Sequence, residues 1–124
     1  MTTHTNQIGP QSKVRYKVWV ETGDEVALSE WRIELLRAVG ETGSLARAAA
    51  RLGVPYRTAW EKLKETEHQL GFRLLVSESG GPDGGSSQLT AAGHDLIVRF
   101  TRLVAGLPEL IEERFRAEFG GSLG

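Results

Sequence analysis

The sequence predicts a mainly α fold with two small β-hairpins. Apolar residues recur at spacings of three and four through residues 30–70 and again after residue 91, which is typical of amphipathic helices. Short apolar runs around glycine-containing turns, within 13–28 and 72–89, indicate strand pairs. A chain of 124 residues suits a single core. We therefore expect one domain over 13–119, between a disordered tail at 1–12 and a short tail at 120–124.

The first hairpin is predicted at 13–28. Val14, Tyr16, Val18 and Val20 alternate with Lys13, Arg15, Lys17 and Trp19, the period of two of a half-buried strand. Residues 21–24 have the chemistry of a hairpin turn, and 26–28 would return as a second strand. Because an isolated hairpin is marginal in water, this one must pack on its own helices or on a second chain. Both options stay open.

Three helices are predicted between residues 30 and 70. Ser29 is a candidate N-cap for the first, which would run from Glu30 to Val39 with Arg37 near its negative end. It is the support for the next two, because its apolar residues cover more than half of its circumference: Trp31, Ile33, Leu35, Leu36 and Val39.

The second and third helices form a helix-turn-helix in this prediction. Ser44 can cap a helix over 45–52, Gly53 can take a positive φ in the turn, and Pro55 suits the first turn of a helix reaching Leu70. The third helix exposes polar and aromatic groups near its start. The expected inward faces comprise Leu45, Ala48, Ala49 and Leu52 on one helix and Ala59, Leu63, Thr66 and Leu70 on the other.

The second hairpin follows the three helices. Residues 72–76 read as a strand, the segment SESGGPDGGSS as a mobile turn, and Gln88-Leu89 as the returning strand. The whole is a winged helix-turn-helix with its wing at 72–89. GGPDGG lacks the Lys-Ser or Lys-Thr of a phosphate loop, so nucleotide binding is not expected. Glu78 and Asp83 make the wing acidic and leave its backbone amides as donors to phosphate.

A long C-terminal helix is predicted over 91–119, capped by Thr90 and kinked or broken at Gly106 and Pro108. Its apolar stripe is longer than a small domain can cover, so we expect it to pair with a second copy in a two-fold dimer. Packing on its own domain is the alternative. The predicted dimerisation residues are Leu96, Phe100, Leu103, Leu107, Leu110, Ile111 and Phe115.

Composition argues against several other classes of function. The chain has 15 Lys and Arg against 16 Asp and Glu, a net charge of −1, which disfavours indiscriminate binding to polyanions. It has no cysteine, and its three histidines are scattered, so we expect no metal site and no cofactor. No apolar run reaches membrane length and the start is polar, which predicts a cytoplasmic protein. No nucleophile–base pair or paired carboxylates emerge, so an enzyme is not expected.

The segment from Trp31 to Phe100 resembles the N-terminal DNA-binding domain of the ModE family of molybdate-responsive regulators. The matching residues are ETGSLARAAARLGVPYRTAW, the double-glycine loop GGPDGG and LTAAG at 89–93. Through GSLARAAARLGVP and QLGFRLLV it is more distantly similar to the LysR-type winged helix. The resemblance implies a dimer that inserts the helix near Tyr56 into the major groove. It assigns Tyr56, Arg57, Thr58 and Trp60 to the recognition helix and Gly80, Gly81, Gly84 and Gly85 to the wing.

Two departures limit this resemblance. Pro55 stands where family members often have a serine, so a hydroxyl available to a phosphate is lost. The chain ends soon after Phe119, without the β-barrel domains that bind molybdate in the family. We therefore do not carry molybdate binding over from the resemblance, and whether any effector is sensed, molybdate included, stays open.

The leading functional hypothesis is a bacterial transcriptional regulator that binds double-stranded DNA sequence-specifically as a homodimer. Arg57 would read a guanine edge, Tyr56 and Ser44 would hold phosphates, and Trp60 would face thymine methyls or pack between helices. Arg47, Arg51 and Lys64 would meet the phosphate backbone, although such residues also line solvated helix faces. The predicted DNA-binding residues are Ser44, Arg47, Pro55, Tyr56, Arg57, Thr58, Trp60, Glu61 and Lys64.

The alternative is a winged helix that serves as a protein-interaction or dimerisation module without DNA. The near-neutral charge and the acidic wing favour this module, whereas the arginines and lysines around the helix-turn-helix oppose it. The sequence names neither an operator nor the direction of regulation.

Overall fold

The computed structural model describes residues 11–78 and 85–120. It confirms a mainly α fold with two antiparallel two-stranded sheets. In chain order the elements are β1 (Trp19–Thr22), β2 (Glu25–Ser29), α1 (Glu30–Thr42), α2 (Leu45–Leu52), α3 (Tyr56–Leu70), β3 (Leu75–Glu78), β4 (Ser86–Leu89), α4 (Ala91–Val104) and α5 (Leu107–Phe115), followed by a π-helical turn, Arg116–Gly120.

The chain divides into two compact units, where the sequence predicted one domain over 13–119. Of the described residues, 18–78 and 85–102 form one unit, and 11–17 and 103–120 belong to the other. The last buried residue of the described chain is Phe100, and α5 contains none. The prediction of one domain over 13–119 rested on chain length and stays a prediction.

The N-terminal hairpin is shorter than predicted. β1 begins at Trp19 and pairs with β2, and the turn consists of Gly23 and Asp24 alone. Residues 14–18 alternate between half-buried and exposed without belonging to a strand. The alternation in the sequence therefore predicted which side chains are half-buried, but not where the backbone pairs with a second strand. β2 packs on its own chain, with Ala27 and Leu28 buried. Of the two options for this hairpin, the structure shows the one in which it covers its own helices.

Helix α1 starts as predicted and runs one turn further. The Ser29 hydroxyl accepts a hydrogen bond from the Arg32 amide at 3.2 Å, which confirms the N-cap. The helix ends at Gly43, whose φ of 73° is left-handed. Arg37 consequently lies outside the last turn and pairs with Glu34 and Thr101. Ile33, Leu35, Leu36 and Val39 are buried, whereas Trp31 is only half-buried.

A buried polar link joins three elements, and the sequence analysis missed it. Arg32 of α1 is buried and donates from Nη1 to the Thr66 hydroxyl of α3 at 2.8 Å. Thr66 donates in turn to the carbonyl oxygen of Ala27 in β2 at 2.9 Å. The guanidinium also reaches Glu65 Oε1 at 3.2 Å. Thr66 was expected on the inward face, but as a space-filling residue and not as a hydrogen-bonded one.

The helix-turn-helix is confirmed in detail. The Ser44 hydroxyl accepts from the Arg47 amide at 3.1 Å, and Gly53 closes α2 at a φ of 71°. The Val54 amide donates back to the Ala49 carbonyl at 3.0 Å, so the turn is tight. Pro55 occupies the N-cap of α3, one position earlier than predicted, and gives it no side-chain cap.

The wing is anchored at its base by residues outside the sheet. β3 starts at Leu75, three residues later than predicted, because the preceding chain is held by α3: Glu67 Oε2 accepts from the amides of Leu74 at 2.7 Å and Leu75 at 3.2 Å. β4 starts at Ser86, two residues before the predicted Gln88. Its buried Ser87 donates from its amide to the Gly43 carbonyl at 2.8 Å. Both wing strands are thereby fixed to the helix-turn-helix.

Helix α4 is capped by Thr90, whose hydroxyl accepts from the Gly93 amide at 3.0 Å. The predicted interruption is a break, since Gly106 has a φ of 79° and α5 begins at the next residue. Phe100 is 4% exposed and belongs to the core of residues 18–102. Of the other predicted dimerisation residues, Leu103 and Leu110 are exposed, and Leu96, Leu107, Ile111 and Phe115 are half-buried.

Candidate nucleic-acid interface

The N-terminal half of α3 presents large side chains to solvent. Tyr56 is 54% exposed and Trp60 45%, and the side chain of Arg57 is 87% exposed. These three residues line one shallow depression. Ala59 is buried and Thr58 is half-buried. With about 3.6 residues per turn, this pair lies on average about half a turn from Tyr56, Arg57 and Trp60 and faces the protein. Three of the four residues on the predicted recognition helix are thus exposed together, and Thr58 is the least accessible of the four.

Trp60 is both exposed and supported. Its ring lines a small cavity between α3 and the wing together with Leu45, Leu63 and Leu75. The Lys64 ammonium, which lines the same cavity, lies 5.7 Å from the ring centroid, within range of a cation–π contact. The sequence left open whether Trp60 is core or DNA-facing; in the structure it lines this cavity and is also 45% exposed.

Charged side chains on α3 are paired within the helix. Arg57 Nε lies 3.5 Å from Glu61 Oε2, one turn further on, with both side chains well exposed. Lys64 Nζ donates to Glu67 Oε1 at 3.2 Å. The Arg57–Glu61 pair is exposed on both sides and therefore weak, so Arg57 can exchange its carboxylate for another anion at small cost. The partner of Lys64 is buried, whereas Lys64 itself is 46% exposed.

The start of α3 offers backbone donors. Because Pro55 has no acceptor on its side chain, the first-turn amides of α3 lack a side-chain cap. A helix N-terminus carries a partial positive charge and favours anions. An anion at this end would lie beside Tyr56 and Arg57.

The start of α2 completes the surface. Ser44, Tyr56 and Gly85 line one cleft with Ser86, so residues predicted separately for the helix-turn-helix and the wing meet. Ser44 is itself buried, with its hydroxyl used as the α2 cap, which leaves little of it for a phosphate. Arg47 is exposed. Arg51 is also exposed and pairs with Glu41. Gly80, Gly81 and Gly84 lie outside the described residues.

Glu67 is the residue near this surface that the sequence analysis overlooked. It is buried, and its Oε2 accepts the two wing amides and lies 3.8 Å from Arg73 Nε. Its Oε1 accepts from Lys64. Its position four residues after Leu63, on the buried stripe of α3, was the available signal. An acidic residue on that stripe needs hydrogen-bond donors, and the wing supplies them.

Within residues 11–78 and 85–120, no three acidic or histidine side chains come together as a potential metal site. No described helix is long and apolar enough to cross a bilayer. The candidate interface consists of exposed aromatic and cationic side chains at the start of α3, next to an open cleft that the wing also lines.

Comparison with known proteins identifies this arrangement. The family model for bacterial regulatory helix-turn-helix proteins of the lysR family matches residues 31–94, just over half of the chain. The chain belongs to the LysR family of bacterial regulatory helix-turn-helix proteins. The LysR-family match runs from α1 through the wing to the start of α4, and it includes every predicted DNA-binding residue.

Relatives of the chain include molybdenum-linked proteins, in agreement with the ModE resemblance. ModE of Azotobacter vinelandii, a molybdenum transport protein, is 30% identical over 84% of this chain and 40% of its own length. MopB of Rhodobacter capsulatus, a molybdenum-pterin-binding protein, is 35% identical over 64% of this chain and 30% of its own. The transcriptional dual regulator ModE of Escherichia coli is 37% identical over 53% and 25%. The chain thus spans between a quarter and two fifths of these relatives.

Solved LysR-family structures share the fold. The CbnR DBD–DNA complex matches with a TM-score of 0.52 and 31% identity, covering 71% of this chain and 94% of that one. Full-length CbnR complexed with its target DNA matches with a TM-score of 0.55 and 28% identity, over 70% of this chain and 28% of that one.

Proposed function

We propose that this protein is a transcriptional regulator that binds double-stranded DNA sequence-specifically as a homodimer, with α3 in the major groove. The observation that supports it most directly is the exposure of Tyr56, Arg57 and Trp60 on the first turns of α3. A helix-turn-helix reads base edges with the N-terminal residues of its second helix. Similarity to CbnR, whose solved structures contain DNA, supports the same proposal. Binding, and not catalysis, is the proposed activity, in the cytoplasm and without a cofactor.

In this proposal Arg57 reads a guanine. An arginine can donate two parallel hydrogen bonds to guanine O6 and N7, and the high exposure of Arg57 leaves its guanidinium free to swing from Glu61 to a base. Trp60 presents its exposed edge to thymine methyl groups.

The phosphate contacts surround this reading face. The Tyr56 hydroxyl, the uncapped amides after Pro55 and the side chains of Arg47 and Lys64 are the proposed donors. Ser44 contributes mainly by setting the start of α2, and Arg51 must first leave Glu41.

The second part of the proposal is a homodimer formed through the C-terminal segment. Leu103 and Leu110 are exposed and Phe119 is 47% exposed. Large apolar side chains gathered on one segment favour burial against a second copy. Phe100 is left out of the proposed surface, because it is already buried within its own chain.

The test is a selection from random duplex DNA followed by binding titrations with Arg57→Ala. We expect a motif with two half-sites about one helical turn apart, roughly 34–36 Å. Arg57→Ala should cost about 1–3 kcal/mol and relax specificity at one position in each half-site.

Arg99→Ala is the matched control, because it removes another well-exposed arginine from an i,i+4 pair, on α4. It should leave the motif and the affinity unchanged. A wild-type protein that enriches no motif and shows no salt-dependent binding would refute the proposed function.

A further inference from the structure

Glu61 differs from the other acidic residues of α3. Glu65 bonds the buried Arg32, and Glu67 accepts the amides at the base of the wing. Glu61 instead pairs with the exposed Arg57 on its own helix. Its carboxylate therefore does not connect α3 to another element, and the fold does not explain it.

A carboxylate on a DNA-facing surface is unfavourable unless it meets a hydrogen-bond donor. The phosphates that surround the groove repel it, so a neutral residue would serve a purely electrostatic surface better. Inside the major groove the amino group of cytosine, N4, is a donor that a glutamate can accept. The guanine of the same base pair presents only acceptors there.

The spacing of Arg57 and Glu61 suits two neighbouring base pairs. Four residues of α-helix rise about 6 Å. Successive bases along one strand are about 3.4 Å apart. The two side chains therefore reach positions one or two base pairs apart when α3 lies along the groove. Their 3.5 Å pair turns them toward the same side of the helix before DNA arrives.

We propose that Glu61 is a second base-reading residue, which accepts a hydrogen bond from cytosine N4 one or two base pairs from the guanine read by Arg57. The inference rests on the proposed function, because it assumes that α3 enters the major groove. It adds recognition of cytosine, whose amino group needs an acceptor that arginine and lysine side chains do not have. On binding, the weak Arg57–Glu61 pair is exchanged for one contact to each base.

The experiment is selection from random duplexes with wild type, Glu61→Ala and Glu61→Gln, each checked for an unchanged melting curve. Glu61→Ala should lose the cytosine preference at one position, about a tenfold loss of discrimination, and keep the guanine preference of Arg57. Glu61→Gln should move the preference at that position toward adenine, because glutamine pairs with adenine N6 and N7.

Asp95→Asn is the control for charge alone. Asp95 forms a comparable exposed i,i+4 pair with Arg99 on α4, so its substitution removes one negative charge away from α3. This variant should select the wild-type motif.

Two outcomes would overturn the inference, and they differ from each other. If Glu61→Ala binds every duplex more tightly by one factor and selects the wild-type motif, Glu61 acts only through its charge and reads no base. If wild type itself enriches no motif, the proposed function fails together with the inference.

Discussion

Glu67 Oε2 accepts a hydrogen bond from the Leu74 amide at 2.7 Å, and this contact joins α3 directly to the base of the wing. The same oxygen accepts from the Leu75 amide, and both leucines are buried. A side chain thus replaces the strand partner that these two amides would otherwise need. The position of the wing relative to the proposed reading helix depends on this carboxylate.

Glu67→Ala should lower the free energy of unfolding by about 2–4 kcal/mol, because two buried amides lose their acceptor. Glu67→Gln keeps a side-chain carbonyl oxygen and should recover most of that loss. Urea unfolding of the two variants measures the difference. Equal stability of the two would show that the ion pairs with Lys64 and Arg73, and not the amides, account for the effect.

Gly93→Ala should destabilise the protein by roughly 1–3 kcal/mol. A Cβ at Gly93 would lie 2.6 Å from the Leu74 carbonyl oxygen, a backbone atom fixed by the Thr90 amide at 2.9 Å. Gly40→Ala is the matched control, because its Cβ would meet only the end of the Leu89 side chain at 3.0 Å. Helix propensity favours alanine by about 1 kcal/mol at both sites, so Gly40→Ala should be neutral or stabilising. Thermal melts of both variants compare them, and equal melting temperatures would contradict the close approach at Gly93.

Lys64→Ala should weaken binding to all duplexes alike and lower the slope of log K against log salt by about 1, because one phosphate contact is lost. Lys62→Ala is the control on the same helix. Lys62 pairs with Glu65, which also bonds Arg32 of α1, and it lies on a different side of α3 from Trp60 and Lys64. Fluorescence anisotropy between 50 and 200 mM salt, the range in which such slopes are resolved, gives both slopes. Identical slopes for the two variants would remove Lys64 from the proposed contacts.

Leu103→Glu should convert the proposed dimer to monomers without unfolding either. Leu103 is 54% exposed, so a charge there costs little within one chain but much in an apolar interface. Val76→Glu places the same charge at a residue 53% exposed on β3, which is not among the proposed dimerisation residues. Sedimentation velocity should find a monomer only for Leu103→Glu. A Leu103→Glu variant that sediments as wild type does would exclude this residue from the interface.

The sequence predicted well what local chemistry decides. Ser29, Ser44 and Thr90 cap their helices because an N-cap hydroxyl needs only the amides of the next turn. Gly53 takes the left-handed conformation expected of it, and the helix breaks at Gly106, where a kink or break was expected. Elements fixed by their own residues were therefore placed within a few positions of their observed bounds.

Contacts between distant segments were not predictable in the same way. Arg32 and Thr66 are 34 positions apart, and nothing in the pattern around Arg32 distinguishes it from a solvated arginine. The start of β3 depends on Glu67, which lies eight residues before Leu75. The start of β1 depends on which residues of the alternating segment 13–20 pair with β2. The candidate site shows the same division. Exposure of Tyr56 and Arg57 followed from helical periodicity, whereas the double role of Trp60 depends on where the wing packs.

The link from Arg32 through Thr66 to Ala27 lies in the second half of α3, as does the contact from Glu67 to the wing. Tyr56, Arg57 and Glu61 lie in the first half and are exposed. Evolution can therefore exchange the exposed residues of the first two turns for new target preferences, while buried Ala59 and the last two turns continue to hold the domain together. The same separation makes the chain a scaffold for redesign, in which a library at positions 56, 57 and 61 would change what is recognised and leave the fold intact.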